Sequence, residues 1–422
     1  MNEIQLRYGD SSFKFEFDQN RFEVLDVDVA EQPLTDIEIG DALESPTGGP
    51  HFDEAIGQDD SVLIVVSDAT RATASAQVVN LFVRRLIQTG VSPGNIAIIF
   101  ATGIHRRVTQ TEKAELLTPF IVQRIRTIDH DALDQTNLTH FGTTKRGIPV
   151  ILNRALQEFS RIVVVGGVNF HYFAGFTGGR KSICPGLASA ETVAATHLLA
   201  LDFDKGGRRS GVGPGLLAGN AVNEECEEIA ARVAPAFTIN TIVGADKRAF
   251  AIYCGDWRQS HHAACEHYLR MRSKQIREKR DLVIVSCGGA PHDLNLIQAH
   301  KALEMASTAC KDGGTIILLA ECRDGLGRSN FLQWFEAQDS HSLEMRLKDR
   351  YEVNGQTAWS LMSKTERFSV HLISELATQD VSYMKMEAST TLADSLQKVT
   401  TFKTGYLMPR GAAILPRLSA AQ

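Results

Sequence analysis

Short, continuous apolar runs alternate with amphipathic helical patterns along most of this chain of 422 residues. The runs at 61–66, 95–101 and 161–165 are typical of strands that are covered on both faces. Residues 76–88 place apolar side chains at the three-and-four spacing of an amphipathic helix, and 188–201 is a further predicted helix. Repeated strand–helix alternation favours a parallel sheet with right-handed crossovers. The pattern therefore predicts an α/β fold.

A second strand–helix–strand group lies in the C-terminal part of the chain, at 281–285, 295–311 and 314–319. The charged stretch at 270–280 precedes it, and we interpret that stretch as a solvated helix face or a linker. We therefore predict two α/β domains with largely parallel sheets and an active-site cleft between them. The N-terminal domain is predicted to span 1–270 and the C-terminal domain 271–422, with a C-terminal tail able to pack back on the first domain.

Charge and cysteine usage limit the classes of partner and location. The formal net charge of −6 argues against nucleic acid as the main partner, which would favour a basic surface. The N-terminus lacks the pattern of a signal peptide, and no apolar run is long enough to cross a bilayer. Seven scattered cysteines without a Cys-x-x-Cys pair fit reduced thiols. We expect a cytoplasmic protein without a nucleic-acid or membrane partner, and a homo-oligomer stays open.

Polar side chains follow three predicted strands of the first domain, at the point where each strand ends. Asp68, Thr70 and Arg71 follow the first strand, and His105 follows the second. The third strand opens into a glycine-rich loop at 171–186. Because parallel strands end at one edge of the sheet, where open α/β sheets bind ligands, the three loops are expected to converge on one crevice. The alternative is that the Ser, Asp and Thr residues cap helices.

The glycine-rich loop contains His171 and Lys181, and His197 follows in a predicted helix. A phosphate-binding loop of the Walker type fails by one residue, because Arg180 stands where that pattern needs glycine. The three histidines at 105, 171 and 197 are candidates for a zinc site, although no paired ligand spacing supports it. Lys181 is a candidate Schiff-base lysine, and we interpret Cys184 as structural because no base lies close to it in sequence.

Gln298 and Lys301 are three residues apart on a predicted helix of the second domain and therefore share a face. A cation and an amide on one face suit the binding of a carboxylate substrate. The alternative is an ordinary solvated helix face, and the sequence does not decide between the two.

Taken in order, these motifs resemble those of the nickel-pincer lactate racemase family, whose members interconvert stereoisomers of 2-hydroxy acids. The resemblance rests on Ser67-Asp-Ala-Thr-Arg71, Thr102-Gly-Ile-His105-Arg106, His171 with Gly175-Phe-Thr-Gly-Gly and Lys181-Ser-Ile-Cys-Pro-Gly186, His197, and Gln298-Ala-His-Lys301. The spacing from His171 to Lys181 and from Lys181 to His197 makes a coincidence improbable.

The resemblance implies a role for each matching residue. Lys181 would covalently tether a pyridinium-3-thioamide-5-thiocarboxylate mononucleotide, the nickel-pincer nucleotide, and His197 would coordinate its nickel. His105 and His171 would be the acid–base pair. Further cofactor contacts are implied for Asp68, Thr70, Gly178 and Gly179, where the glycines would let the cofactor lie against the backbone. Substrate contacts are implied for Arg71, Gln298, Lys301 and, by weaker alignment, Trp359.

The same resemblance implies a racemase or epimerase that inverts C2 of a small 2-hydroxy acid, with a lactate-like or malate-like substrate. Transfer of the C2 hydrogen as a hydride to the cofactor avoids a carbanion and gives a planar 2-keto acid. Two histidines supply base function on both sides of the substrate. Implied partners are the substrate and the enzymes that synthesise the cofactor and insert nickel. A zinc-dependent hydrolase, or a non-catalytic binding member of the family, is the alternative.

Three positions depart from the pattern that is common in the family. Ala72 and Arg107 stand where proline is common, and Arg180 stands where small residues are common. These residues would reshape the substrate pocket or add a cation for a second carboxylate, as in malate. The alternative is that they are neutral changes on surface loops.

Overall fold

The computed structural model describes residues 2–27, 31–244, 246–399 and 401–419. The chain forms two compact units. The N-terminal unit comprises Val29–Ala200 and Ser210–Arg270, and the C-terminal unit comprises Met1–Asp28, Leu201–Arg209 and Met271–Gln422. The chain therefore passes between the units four times, after residues 28, 200, 209 and 270.

The strands of the described residues, in chain order, are β1 (Asn2–Tyr8), β2 (Ser11–Phe17), β3 (Phe22–Val24), β4 (Val62–Ser67), β5 (Ile96–Ala101), β6 (Arg126–Asp129), β7 (Leu138–Thr143), β8 (Pro149–Asn153), β9 (Arg161–Gly167), β10 (Phe170–His171), β11 (Gly175–Phe176), β12 (Phe237–Val243), β13 (Ala249–Gly255), β14 (Ser273–Ile276), β15 (Arg280–Ser286), β16 (Cys310–Leu319), β17 (Ser369–Ile373), β18 (Glu387–Ser389), β19 (Gly405–Met408) and β20 (Leu415–Leu418). The α-helices are α1 (Asp36–Leu43), α2 (Phe52–Ala55), α3 (Ser75–Gln88), α4 (Gln110–Arg124), α5 (Ala155–Glu158), α6 (Ala190–Leu198), α7 (Ala221–Val233), α8 (Gln259–Arg272), α9 (Leu296–Ala309), α10 (Ser340–Asp349), α11 (Val353–Thr365), α12 (Thr378–Tyr383) and α13 (Leu392–Lys398).

The N-terminal unit is built on a six-stranded sheet of order β13-β12-β9-β4-β5-β6. Every neighbouring pair is parallel except β12 with β13. Alternate residues of β4 belong to two hydrophobic clusters, Ile64 to one and Leu63 and Val65 to the other, so the strand is covered on both faces. Because both faces are covered, consecutive positions of the strand are apolar, which explains the continuous apolar run in the sequence.

Helix α3 packs its apolar side against one face of this sheet, as the spacing of its apolar residues predicts. Val78, Val79, Phe82 and Val83 are all buried in the same cluster, and the Phe82 ring stacks on that of Phe237 at a centroid distance of 6.1 Å. Replacing Phe82 with alanine would remove about 3–5 kcal/mol of stability, as large-to-small core changes do.

The strand order reverses at β4, which pairs with β5 on one side and with β9 on the other. In open α/β sheets, the crevice outside the carboxyl ends of the strands at such a reversal is the usual ligand site. The loops that follow β4, β5 and β9 carry the polar motifs of the sequence. The fold therefore positions those motifs at the switch point.

The C-terminal unit contains a second six-stranded sheet, of order β18-β17-β16-β15-β19-β3, in which every neighbouring pair is parallel. The hairpin of β1 and β2 supplies Leu6 and Phe17 to the core cluster of this unit, and Phe22 of β3 joins them. The two sheets confirm the predicted α/β fold with largely parallel strands.

Two chain segments lie in a different unit from the one predicted. Strand β3 pairs with β19, which places the N-terminal segment in the C-terminal unit. The segment Leu201–Arg209 also belongs there, because Arg208 donates to both carboxylate oxygens of Glu304 at 2.5 and 3.0 Å. Glu304 is buried and also contacts the Lys364 ammonium.

The chain near residue 270 and the C-terminal tail also differ from the sequence-based expectation. The charged stretch at 270–280 contains the end of α8 and the strand β14 rather than only a helix face or a linker. Strand β20 of the tail pairs with β14, inside the C-terminal unit, and not with the first domain. Both strands are short and partly polar, so their sequences carry little periodic signal.

All seven cysteines are free and buried. Among the described residues, no helix combines the length and the apolar character that a membrane span requires.

Candidate active site

The loop after β4 is organised by the carboxylate of Asp68. Its Oδ1 accepts hydrogen bonds from the backbone N–H of Thr70 at 2.9 Å and from the Thr70 hydroxyl at 2.5 Å, and its Oδ2 lies 2.7 Å from His105 Nδ1. Burial raises the pKa of Asp68, but the hydrogen bond and charge of His105, the Thr70 hydroxyl and the charge of Arg71 together hold that pKa below its usual value. Asp68 therefore stays ionised and joins the first two loops.

Helix capping does not explain this polar cluster. Helix α3 begins at Ser75 after Ala74, which makes no side-chain cap hydrogen bond. The Thr70 hydroxyl donates to the Asp68 carboxylate instead, and Asp68 in turn bonds to His105. Arg71 is exposed beside them, and its charge acts on both Asp68 and Lys181.

His105 is a histidine whose orientation a carboxylate fixes. Because the ionised Asp68 can only accept, His105 Nδ1 carries the hydrogen of their bond, and Nε2 is left as the basic nitrogen. The loop of His105 is held to the third loop, since the N–H of Gly103 donates to the carbonyl of Gly186 at 2.8 Å. Gly103 has φ +54°, a conformation that favours glycine.

His171 lies in the short hairpin of β10 and β11 and has the opposite tautomer. Its Nδ1 accepts from the backbone N–H groups of Phe173 at 3.4 Å and Ala174 at 3.3 Å. In the neutral imidazole the hydrogen is therefore on Nε2. The two histidines thus leave the same ring atom, Nε2, available for chemistry, unprotonated in His105 and protonated in His171.

Lys181 lies in the short 3-10 turn Gly179–Ser182 and is partly exposed. The surrounding protein desolvates its amine, and together with the charges of Arg180 and Arg71 this lowers the pKa of Lys181 to about 7. No ion pair to Lys181 is found in the part of the chain that the structure describes. A large share of this amine is therefore neutral near pH 7, which makes it a capable nucleophile.

Phe173 links the three titratable groups of the site, and the sequence interpretation missed it. Lys181 Nζ lies 5.2 Å from the centroid of its ring, and the rings of His171 and His197 meet it edge-on at 4.4 and 4.9 Å. Phe173 is itself buried. Its position two residues after His171 could have suggested a place in the site, but an aromatic residue there is equally typical of a hydrophobic core.

His197 lies near the end of α6 and is buried. Burial first, and then the charges of Lys181 and His105, lower the pKa of His197 well below its usual value. The imidazole is therefore neutral at physiological pH, the form in which histidine binds metals.

Gly178 and Gly179 both have positive φ, of +81° and +48°. A Cβ on Gly179 would lie 2.7 Å from the His261 ring, and one on Gly178 would lie 3.0 Å from Val168 Cγ2. The missing side chains therefore let this loop pack closely against the protein. Cofactor contacts of the two glycines stay a prediction.

Arg180 is not on a surface loop, contrary to one of the interpretations above. Only 2% of it is exposed, and its guanidinium donates to Asn223 Oδ1 at 2.8 Å, His261 Nε2 at 2.8 Å and the Ala174 carbonyl at 2.9 Å. Because these N–H groups already bond to the protein, Arg180 is also not a cation held ready for a second substrate carboxylate.

Arg107 and Ala72, the other two departures, are exposed. Arg107 forms a surface ion pair with Asp131 at 3.1 Å. Nothing in the structure explains Ala72 in place of proline.

The described residues contain no group of three or more His, Cys, Asp or Glu side chains placed to hold a metal ion. His105, His171 and His197 therefore do not form a zinc site of the kind that the hydrolase alternative requires.

The predicted substrate-binding residues of the C-terminal unit lie on α9 and α11. Lys301 Nζ donates to Gln298 Oε1 at 2.6 Å, so the two side chains share a face of α9, which Asn295 caps. Trp359 of α11 is buried, and its indole N–H has no hydrogen-bond partner among the described residues. Such a donor can serve a ligand. The roles of these residues in substrate binding stay predictions.

Comparison with known proteins now decides the family. The lactate racemase N-terminal domain matches residues 8–207, and the lactate racemase C-terminal domain matches 276–407. This chain belongs to the lactate racemase family. The matches cover both units, and the family places the protein among the isomerases as an enzyme.

Individual relatives agree over most of their lengths. The lactate racemase of Thermoanaerobacterium thermosaccharolyticum is 28% identical over 359 residues, which is 83% of this chain and 82% of that protein. The lactate racemase of Lactiplantibacillus plantarum is 29% identical over 365 residues, 85% of this chain and 84% of that protein. The structure of the lactate racemase apoprotein from T. thermosaccharolyticum is similar with a TM-score of 0.91 at 26% identity, covering 99% of this chain and 100% of that one.

Proposed function

We propose that this family member racemises or epimerises C2 of a small 2-hydroxy acid, lactate-like or malate-like, with a nickel-pincer nucleotide attached covalently at Lys181. The observation that carries the proposal is the contact of Lys181, His171 and His197 with one ring, that of Phe173. A nucleophilic amine and a neutral imidazole are thereby adjacent to an acid–base histidine. Cytoplasmic location is part of the proposal, supported by seven free cysteines.

The residues present fit such a cofactor. Lys181 supplies an amine whose pKa of about 7 leaves much of it unprotonated, as a covalent attachment requires. His197 supplies one neutral nitrogen ligand, while the absence of a three-residue metal cluster among the described residues implies that further donors come with the cofactor itself. When bound, the cofactor supplies an acceptor for the C2 hydrogen.

The protein's own contribution is proton transfer and charge stabilisation. His105 Nε2 is the basic nitrogen that takes the hydroxyl proton of the substrate, and Asp68 stabilises the resulting imidazolium. His171 Nε2 carries a hydrogen that it can donate to the same oxygen atom from its own position. Arg71 is exposed and cationic, which suits the substrate carboxylate.

A mass measurement on Lys181 tests the proposal. The chain is produced together with enzymes that synthesise the cofactor and insert nickel, and the peptide that contains Lys181 is analysed by mass spectrometry. We expect an added mass on this lysine and nickel bound to the intact protein. Lys181→Arg keeps the charge but cannot form the attachment, so it should show neither, whereas the exposed control Lys205→Arg should show both. An unmodified Lys181 in a protein with bound zinc would contradict the proposal.

The substrate is identified by a panel of single enantiomers. Lactate, malate, aromatic or longer 2-hydroxy acids and aldonates are each incubated with the loaded enzyme, and loss of optical activity is followed. We expect a small acid to racemise fastest. Binding without any racemisation would favour the non-catalytic alternative.

A further inference from the structure

The loop that carries Lys181 is held by Arg180, with which no carboxylate of the described residues forms an ion pair, although the charge of Glu227 acts on it at longer range. Arg180 is 2% exposed, and no ion pair to it is present within the described ranges of the chain. Its pKa is lowered by burial. Burial of a charge without a counter-ion is unfavourable unless its hydrogen bonds are met. A buried arginine of this kind is therefore expected where its planar set of hydrogen bonds has a structural role.

The hydrogen bonds of Arg180 join one loop to two helices. Its Nε donates to Asn223 of α7, and one terminal nitrogen donates to His261 of α8. The other terminal nitrogen donates to the carbonyl of Ala174, six residues earlier in the same loop. The planar fork thus fixes both ends of the stretch from Ala174 to Lys181.

Both acceptors are themselves oriented to receive this fork. The Asn223 amide group donates to the Leu217 carbonyl at 3.2 Å and to Glu227 at 3.0 Å, which turns its oxygen toward Arg180. His261 Nε2 lies 2.8 Å from the Arg180 guanidinium and 3.0 Å from the Thr177 carbonyl. Because arginine can only donate, the Arg180 contact favours an unprotonated Nε2, and burial lowers the pKa of His261 in the same direction. Gly179 lets the loop approach the His261 ring without a Cβ in between.

We propose that Arg180 is a positioning residue that braces the Lys181 loop against α7 and α8 and keeps the Lys181 amine beside Phe173. The inference rests on the proposed function insofar as Lys181 is the attachment site. The groups acting on Lys181 are Arg180 and Arg71, which favour its neutral form, and the thiols of Cys184 and Cys226, which oppose it. Arg180 therefore acts on Lys181 in two ways, by fixing the conformation of the loop and by the effect of its charge on the amine.

The apoprotein tests this inference without the cofactor. Hydrogen–deuterium exchange is measured on peptides within 174–184, and reductive methylation of Lys181 with formaldehyde and cyanoborohydride, which reduces the imine, is followed against pH by mass spectrometry. Arg180→Met removes the fork and the charge, Arg180→Lys removes the fork alone, and the exposed Arg107→Met is the control. We expect exchange in the loop to rise at least about tenfold in both Arg180 variants, by the loss of buried hydrogen bonds.

The pH profile of Lys181 methylation distinguishes an arginine that positions Lys181 from one that only stabilises the fold. The midpoint of Lys181 methylation should move to higher pH in Arg180→Met and move less in Arg180→Lys, while Arg107→Met leaves it in place. Unchanged exchange, or an unchanged midpoint in a folded Arg180→Met, would overturn the inference.

A milder variant keeps the test decisive if Arg180→Met does not fold. Asn223→Ala retains the arginine charge and removes one acceptor, so it should increase exchange in 174–184 without raising the midpoint. Exchange equal to the wild type would again overturn the brace. Failure to find the cofactor on wild-type Lys181 would refute the proposed function and leave these apoprotein results unaffected.

Discussion

In the N-terminal unit, the buried Arg180 and the partly exposed Lys181 form no ion pair with any described residue, whereas in the C-terminal unit Arg208 and Lys364 share the buried carboxylate of Glu304. Burial lowers the pKa of both lysines, to about 7 for Lys181 and to about 8 for Lys364. Neighbouring arginines lower the pKa of both lysines further, but the Glu304 carboxylate opposes the shift of Lys364, whereas thiols, not a carboxylate, oppose that of Lys181.

The difference separates a reactive lysine from a structural one. The Lys364 ammonium is held by Glu304 and by the hydroxyl and carbonyl of Ser360, so its donors are used inside the protein. Lys181 is partly exposed and lies against an aromatic face. A desolvated lysine therefore indicates a reactive amine only where no carboxylate forms an ion pair with it.

Removing the shared carboxylate gives the largest expected effect. Glu304→Gln removes the buried negative charge that Arg208 and Lys364 share, so the free energy of unfolding should fall by about 3–5 kcal/mol. Urea unfolding of the purified variant measures it. The exposed pair of Arg146 and Glu224 is the matched control, and Glu224→Gln should change stability by less than about 1 kcal/mol. Equal effects of the two changes would show that burial does not distinguish the pairs.

The carboxylate of the N-terminal site should act through a histidine instead. Asp68→Asn removes the counter-charge of the His105 imidazolium, so kcat/KM for racemisation should fall by about ten- to a hundredfold. Steady-state kinetics on the loaded enzyme measure it, with Asp131→Asn at the surface as the control. A change confined to KM would instead assign Asp68 to binding.

Lys181, which forms no ion pair with any described residue, should leave a signature in the pH dependence of stability. Its amine loses a proton near pH 7 in the folded chain but only near pH 10.4 when unfolded, so the unfolded chain binds more protons between these values. Stability should therefore rise with pH in the wild type relative to Lys181→Met. The relative slope is at most ~1 kcal/mol per pH unit, below the theoretical 1.36 because Lys181 is partly exposed. Urea unfolding from pH 7 to 10 measures it, and parallel curves would contradict the low pKa.

An exposed arginine near the site should have the smallest effect. Arg107→Ala breaks only a surface ion pair with Asp131, so stability should change by less than about 0.5 kcal/mol. The ratio of kcat/KM for malate to that for lactate should also stay constant. A selective loss of malate activity would show that Arg107 reads a second carboxylate.

The sequence predicts the strands and the polar loops because their signals are local. The apolar run before Asp68 and the spacing of α3 belong to single elements, and parallel strands bring their loops to one edge. Contacts between distant residues carry no such signal. Phe173 looks like ordinary core, and Arg180 looks like a solvated loop residue because buried arginines are rare.

The pairing of β3 with β19 has the same cause. A three-residue strand is too short for a periodic pattern, and its partner lies almost four hundred residues away in the chain. The short segment with Arg208 is likewise assigned to the C-terminal unit only by its contact with Glu304. Sequence therefore predicts where elements are better than which unit they join.

The four passages of the chain between the units also constrain how such a protein can be altered by recombination. A single exchange near residue 270 between two relatives would separate β3 from β19 and Arg208 from Glu304, although each half would look like a whole domain. Hybrids must therefore take the first 28 residues and 201–209 from the same parent as 271–422. The three segments of the C-terminal unit are therefore inherited as one block, and their partner residues have to change together.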